Sequence, residues 1–289
     1  MQTMRLNFII CVVACFAASA FAADVRLPDK AVAGQGISIA TSGSGDATLY
    51  VVGPGTAIKR QIKLGEEIQL KGEELRNAGY YQIAIKGGDA DISKDLYLAP
   101  GAAEKVNFLA RPSRVPVGQP KVIAGTAFVF DQYENLVVAP TPVTFELSVP
   151  GAAPKVERTT TKNGVAYLQT GSGTKAGPGQ FVVKVGDNSV RRVVEETASE
   201  PCNLHFKVHK EKDGLIAETD PVRDCSGNAV PDGTIVTFIS AEPGKGRSTV
   251  DARVKKGIAR AVLPPVPGAT ISVASGVVLG NEVRWGGGE

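Results

Sequence analysis

Laid against itself with a shift of 93 positions, the chain repeats: residues 131–166 align with 224–259 without a gap, and 12 of those 36 positions are identical. The matches include Asp131/Asp224, Asn135/Asn228 and Val137/Val230, then Val143-Thr144-Phe145 with Val236-Thr237-Phe238. They continue through Pro150-Gly151 with Pro243-Gly244 and end with Lys162, Gly164 and Ala166 against Lys255, Gly257 and Ala259. A period of this length is too long for a solenoid unit. It suits a self-contained two-sheet β-sandwich of roughly 100 residues, and 289 residues leave room for two or three such units.

The local chemistry is that of strands. Val143–Leu147 and Ile235–Ile239 are β-branched and aromatic runs. Thr159-Thr160-Thr161 leads through Lys162-Asn163-Gly164 into Val165-Ala166-Tyr167-Leu168, which reads as a hairpin because Asn and Gly both tolerate positive φ. Lys255-Lys256-Gly257 repeats it. Gln180–Val185 and Thr270–Val273 are the later strands of the two copies. Ahead of them lies a divergent unit with strands at Ile37–Ile39, Ala47–Val52, Gln82–Ile85 and Leu96–Leu98. Leu75-Arg76-Asn77-Ala78-Gly79-Tyr80-Tyr81 resembles the turn into the sixth strand of a sandwich, where a tyrosine hydroxyl bonds back to nearby backbone; Tyr81 is the candidate, with Tyr80 the alternative. Residues 73–77 can form at most one helical turn, and no sustained amphipathic helix appears elsewhere in the mature chain. The expected architecture is all-β: tandem immunoglobulin-like β-sandwiches at 24–100, 104–198 and 201–285. Their joints lie near Pro100–Ala103 and Thr197–Pro201, and are short enough to favour a semi-rigid rod.

The first 22 residues have the form of an export signal: Arg5, an apolar run over residues 6–16, then Ala20-Phe21-Ala22, with cleavage after Ala22. Val12-Val13-Ala14-Cys15 also resembles a lipoprotein box, in which Cys15 would carry lipid. The apolar stretch is too short for a membrane span. The formal charge is +3, or +2 once Arg5 leaves with the leader, and no basic face or block exists, which excludes nucleic acid as a partner. Cys11 and Cys15 lie in the leader. The remaining pair, Cys202 and Cys225, suits a disulfide in an oxidising compartment, with two buried thiols the alternative.

The stretch Asp224-Cys225-Ser226-Gly227-Asn228-Ala229-Val230-Pro231-Asp232-Gly233-Thr234-Ile235-Val236-Thr237-Phe238 resembles the core motif of invasin/intimin-type bacterial immunoglobulin-like domains. Asp131-Gln132-Tyr133-Glu134-Asn135-Leu136-Val137 is similar, with Glu134 in place of the glycine. The resemblance covers about residues 104–285. It implies spacer and binding modules of the bacterial cell envelope, some related to adhesion, and indicates no ligand. The sequence shows no stretch resembling an outer-membrane barrel, a lectin-like tip or a wall-sorting signal, so periplasmic, secreted and surface placements are all open.

No constellation in the chain reads as an active site. Asp131/Asn135 and Asp224/Asn228 offer oxygen ligands that calcium could use, but Asp and Asn bond their own backbone in tight turns and each site has too few carboxylates. His205 and His209 sit on an alternating, strand-like run that turns both to one face with Lys207 between them, a poor zinc site without a third ligand. No G-x-S-x-G motif is present, and Gly43-Ser44-Gly45 and Gly171-Ser172-Gly173 lack the G-K-[ST] of a phosphate loop. Trp285 reads as a cap on the last strand, or as an exposed contact residue, before a frayed Gly286–Glu289 tail. The expectation is therefore a non-enzymatic structural or interaction protein with no metal or cofactor and with a protein or cell-surface partner. The competing expectation is an accessory or carbohydrate-binding subunit of an exported complex, which exposed aromatic residues clustered on one face would favour.

Overall fold

The computed structural model describes residues 23–212 and 214–286. The leader with Arg5, Cys11, Cys15 and Ala22, and the last three residues of the glycine tail, lie outside the described residues. The chain divides into two compact units at Gly101/Ala102, and among the described residues every regular element but one 3₁₀ turn is a strand.

The first unit contains β1 (Val25–Arg26), β2 (Ala31–Val32), β3 (Ile37–Thr41), β4 (Asp46–Gly53), β5 (Thr56–Lys63), β6 (Ile68–Leu70), β7 (Gly79–Gly87) and β8 (Ala90–Ala99), with the 3₁₀ turn at Gly72–Glu74. They form a three-stranded sheet, β1-β3-β6, and a five-stranded sheet, β2-β8-β7-β4-β5. Alternation decides which side is buried: along β4 Ala47, Leu49 and Val51 point inward and Thr48, Tyr50 and Val52 outward. The inward set closes a core of Ile39, Leu49, Leu70, Tyr81, Ile83 and Leu98, among others. Tyr81 is fully buried and its hydroxyl donates to the Asn77 carbonyl at 2.9 Å, so Tyr81 and not Tyr80 makes the corner.

The second unit holds two sandwiches of the same plan. One contains β9 (Lys105–Arg111), β10 (Arg114–Pro116), β11 (Ile123–Phe130), β12 (Pro142–Ser148), β13 (Lys155–Thr160), β14 (Val165–Thr170), β15 (Gly177–Val185) and β16 (Asn188–Thr197). Its sheets are β14-β11-β9 and β10-β16-β15-β12-β13. Phe108, Phe145 and Phe181 meet at its centre with ring centroids 5.0–6.0 Å apart. A Cβ on Gly125 would lie 2.8 Å from the Phe181 ring, so only glycine fits there. The other contains β17 (Pro201–Cys202), β18 (Phe206–Glu211), β19 (Gly214–Thr219), β20 (Arg223–Asp224), β21 (Ile235–Ala241), β22 (Arg247–Arg253), β23 (Arg260–Leu263), β24 (Thr270–Ser275) and β25 (Val278–Arg284). It pairs β18-β19-β23 against β22-β21-β24-β25, with β17-β20 as a separate ribbon, around a core centred on Phe206 and Phe238.

The hairpin expected at Asn163-Gly164 does not form. Asn163 and Gly164 do take positive φ, 51° and 80°, and Lys162 does bridge to Val165. The strands they join are not a hairpin, however: β13 pairs with β12 in one sheet and β14 with β11 in the other. Lys256 and Gly257 repeat the arrangement between β22 and β23. A tight turn fixes only the reversal of the chain. Which sheet each strand enters is set by its apolar face: β13 is exposed along its whole length, whereas β14 brings Ala166 into the core.

Trp285 is half-buried against the third core. Its backbone is tied by Trp285 N–H to Ala269 O at 2.9 Å and by Gly268 N–H to Trp285 O at 2.7 Å, so it caps the last strand.

Candidate functional site

The repeated Asp/Asn motif builds one loop twice. In the second sandwich Asp131 Oδ1 accepts from the backbone N–H groups of Tyr133 and Asn135, both at 2.9 Å, and Asp131 Oδ2 accepts from Asn135 Nδ2 at 2.9 Å. In the third, Asp224 Oδ1 accepts from Ser226 and Asn228 N–H at 2.9 and 2.8 Å, and Asn228 Nδ2 donates to Asp224 Oδ2 at 2.9 Å. The carboxylates hold their own turns together, the arrangement Asx residues favour. Glu134 stands where the third sandwich has Gly227, and it takes the same left-handed conformation, φ 69° against 84°.

The third-sandwich loop does more than close on itself. Asn228 Oδ1 accepts from the backbone N–H of Ala176 at 2.8 Å, and Asn228 Nδ2 donates to the Thr174 carbonyl at 2.9 Å. Both partners belong to the loop between β14 and β15 of the preceding sandwich. Asp224 Oδ2 accepts from Ser199 N–H, in the joint itself, at 3.0 Å. Next to it Cys202 and Cys225 form a disulfide with Cα atoms 4.9 Å apart, tying β17 at the end of the joint to the same loop. Burial would raise the Asp224 pKa; the Asn228 side-chain amide and the backbone N–H groups of Asn228, Ser199 and Ser226 outweigh it and hold the carboxyl below its ordinary value. With its oxygens taken by N–H donors, Asp224 is built to bond protein rather than a cation.

On the other side of the joint lies a buried acid. Glu196, near the end of β16, is 1% exposed. Its Oε2 accepts from Gly173 N–H at 2.7 Å, while Oε1 has no hydrogen-bond partner. Burial raises its pKa above the ordinary value, against the opposing effects of the Gly173 bond and of Lys155. A Cβ on Gly173 would sit 2.8 Å from Val149 Cγ2 and 2.9 Å from Glu196 Oε2, so glycine is required. A continuous chain of bonds therefore runs from Glu196 through the Gly173–Ala176 loop to Asn228, Asp224 and the disulfide. Ser172 supports the loop from below, donating to Pro116 O at 2.8 Å and accepting from Gln119 N–H at 2.9 Å. A small hollow of about 290 Å³, lined by Pro116, Gln119, Ser199, Pro201 and Pro231, lies at the same joint.

The other sequence candidates stand apart. His205, Lys207 and His209 are all exposed, and His209 Nε2 lies 3.1 Å from Glu211 Oε1, which also binds Arg260 Nη2 at 2.5 Å. Gly43-Ser44-Gly45 is the turn between β3 and β4. Among the described residues no group of three or more His, Cys, Asp or Glu is placed to hold a metal ion, and no helix is long and apolar enough to cross a membrane. The sequence contained Asp224, Asn228 and both cysteines as local features. It carried no signal that Asn228 grips residues 174 and 176, or that Glu196 supports them, because these contacts span 52 and 54 positions for Asn228 and 23 for Glu196.

No protein-family model and no curated protein matches the chain. Solved structures do. The chain superposes on the Escherichia coli adhesin FdeC with a TM-score of 0.62 at 14% identity, over 91% of this chain and 96% of that one. Invasin, a bacterial integrin-binding protein, gives 0.51 at 15% identity over 89% of this chain and 57% of invasin. InvD of Yersinia pseudotuberculosis gives 0.51 at 12% identity over 91% and 98%. At these identities the likeness is one of fold: the tandem bacterial immunoglobulin-like sandwich that the repeated motif resembled.

Proposed function

We propose that this chain is an exported, non-enzymatic spacer and binding protein of the bacterial cell envelope, related in role to adhesion. We divide it into three sandwiches at 24–100, 104–198 and 201–285, behind a leader removed after Ala22. The observation that supports this reading best is the clasped joint. Asp224, Asn228, Ser199 and the disulfide use the repeated motif to hold one sandwich against the next, and leave it no free ligand for a substrate or metal. Holding spacing and direction is the work of a spacer, and such a chain presents sheet faces and edges to a protein or cell-surface partner instead of a reaction centre. The disulfide fits an oxidising compartment.

Two measurements test it, one in the native host and one on the purified protein. Cell fractionation with intact-mass analysis should place the chain outside the cytoplasm with Ala23 at its N-terminus; a lipid-modified Cys15 would move the anchor, and a cytoplasmic chain would end the reading. NMR relaxation on the purified protein should show the second and third sandwiches tumbling as one body. Independent tumbling of the two would remove the spacer role.

A further inference from the structure

The outer face of the five-stranded sheet in the first unit carries an aromatic patch that the fold does not require. Tyr80 on β7 and Tyr97 on β8 are directly paired across the sheet and 74% and 43% exposed; their ring centroids lie 5.0 Å apart at 52°. Tyr50 on β4 opens onto the same face, with Lys59 Nζ 5.8 Å above its ring. The outward pair at the same end of the corresponding sheet is Pro178 opposite Glu195 in the second sandwich and Thr270 opposite Arg284 in the third. The fold therefore stands without aromatic residues there. Solvent-exposed rings in contact hold hydrophobic surface in water with no core to bury it, which marks a contact surface.

Three features indicate what the patch would contact. The first is the row between the tyrosines: Val52, Gln82 and Asp95 lie side by side there, all exposed, with the small Ala84 and Ser93 in the row of Tyr50. The rings thus stand at the two ends of a track that offers one apolar and two hydrogen-bonding side chains between them. By register Tyr50 lies about 14 Å along the strands from the Tyr80–Tyr97 pair, the length of a short oligosaccharide. The second is charge. Asp46, Asp91 and Asp95 are matched on this face by Lys59, Lys63 and Lys86, and Lys86 Nζ pairs with Asp91 Oδ1 at 2.9 Å, so the face has no net sign to attract an anionic chain. Gln82 and Asp95, paired in the row beside the tyrosines, offer exposed donors and acceptors at the level of the rings. The third is size. Four strands by about eight residues give a face with a footprint of roughly 450 Å², an extent that a short oligosaccharide lying along the strands can cover.

Resting on the envelope reading above, and naming its partner, we propose that this face binds a neutral oligosaccharide. Tyr80, Tyr97 and Tyr50 would stack on the C–H faces of successive sugar rings, and Gln82 and Asp95 would bond their hydroxyls.

The test uses the full mature chain and titrates it calorimetrically with cellotetraose, maltotetraose, chitotetraose and mannotetraose, with an oligogalacturonate as the anionic control. Saturable binding of at least one neutral tetrasaccharide is expected, weakened about tenfold or more by Tyr80→Ala combined with Tyr97→Ala. Tyr167→Ala, an equally exposed tyrosine of the second sandwich, should leave it unchanged. Because the replaced side chains are on the surface, circular dichroism should show the variants folded. The proposal is overturned by no saturable binding to any of the four, by binding that the double variant leaves intact, or by a protein ligand lost with the tyrosines while no sugar binds. Fractionation tests the envelope reading separately: a chain found outside the cytoplasm that binds none of the sugars loses this site and keeps that reading.

Discussion

Replacing Asn228 with alanine tests whether the repeated motif is a clasp between sandwiches or only a turn. The change removes side-chain bonds to three partners: from Ala176 N–H, to Thr174 O and to both carboxylate oxygens of Asp224. A hydrogen bond of this kind contributes about 0.5–1.5 kcal/mol net, and the half-buried site lets water replace part of it, so the expected loss is about 2 kcal/mol. Trp285 is the single tryptophan and packs against the third core, so its fluorescence reports unfolding of that sandwich. A sandwich of this size has a urea dependence of about 1 kcal/mol per molar, which turns the loss into a midpoint lowered by about 1–2 M. Stability alone would not separate clasp from turn, so the second readout is hydrogen exchange at the Ala176 amide. That group lies in the preceding sandwich and loses its acceptor only if the clasp is real. A midpoint within about 0.3 M of wild type, or unchanged protection at Ala176, would refute the reasoning.

Three further outcomes follow from the same geometry. Replacing Cys202 and Cys225 together with alanine opens a loop of sequence separation 23 and should cost about 3 kcal/mol in the chain-entropy model; Trp285 denaturation of the wild type with reductant should coincide with the variant. Glu134→Gly relieves a left-handed backbone at φ 69° and should stabilise the second sandwich by about 1 kcal/mol in calorimetric melts, since its exposed ion pair with Lys105 is worth only a few tenths. Glu196 and Asp224 should give opposite pH dependences. The Glu196 pKa is raised in the fold, so its contribution is full below the unfolded value and is lost as pH rises through the folded one; Glu196→Gln should therefore gain stability at neutral pH and little at pH 4. The Asp224 pKa is lowered, so its contribution is present above the unfolded value and is lost as pH falls through the folded one, a loss that Asp224→Asn should abolish in acid unfolding curves.

Much of this molecule is local information. Alternating burial along β4 or β11 is a period-two pattern that any half-buried strand must show. The 93-residue repeat required two sandwiches of one plan, Tyr81 lay at the spacing its corner demands, and the cysteine pair and the Asx turns were visible as residues. Other features belong to the packed chain. Asn163-Gly164 reverses the strand whichever sheet receives it, so the sheet switch depends on whether β13 or β14 has apolar atoms to bury. The reach of Asn228 to Ala176, the support from Glu196, and the placing of Tyr50 on one face with the Tyr80–Tyr97 pair each join residues far apart in sequence. Turns and strand faces follow from interactions within a few residues, where sequence acts directly. Joints and surfaces follow from register and packing between distant segments, which only the assembled sheets define.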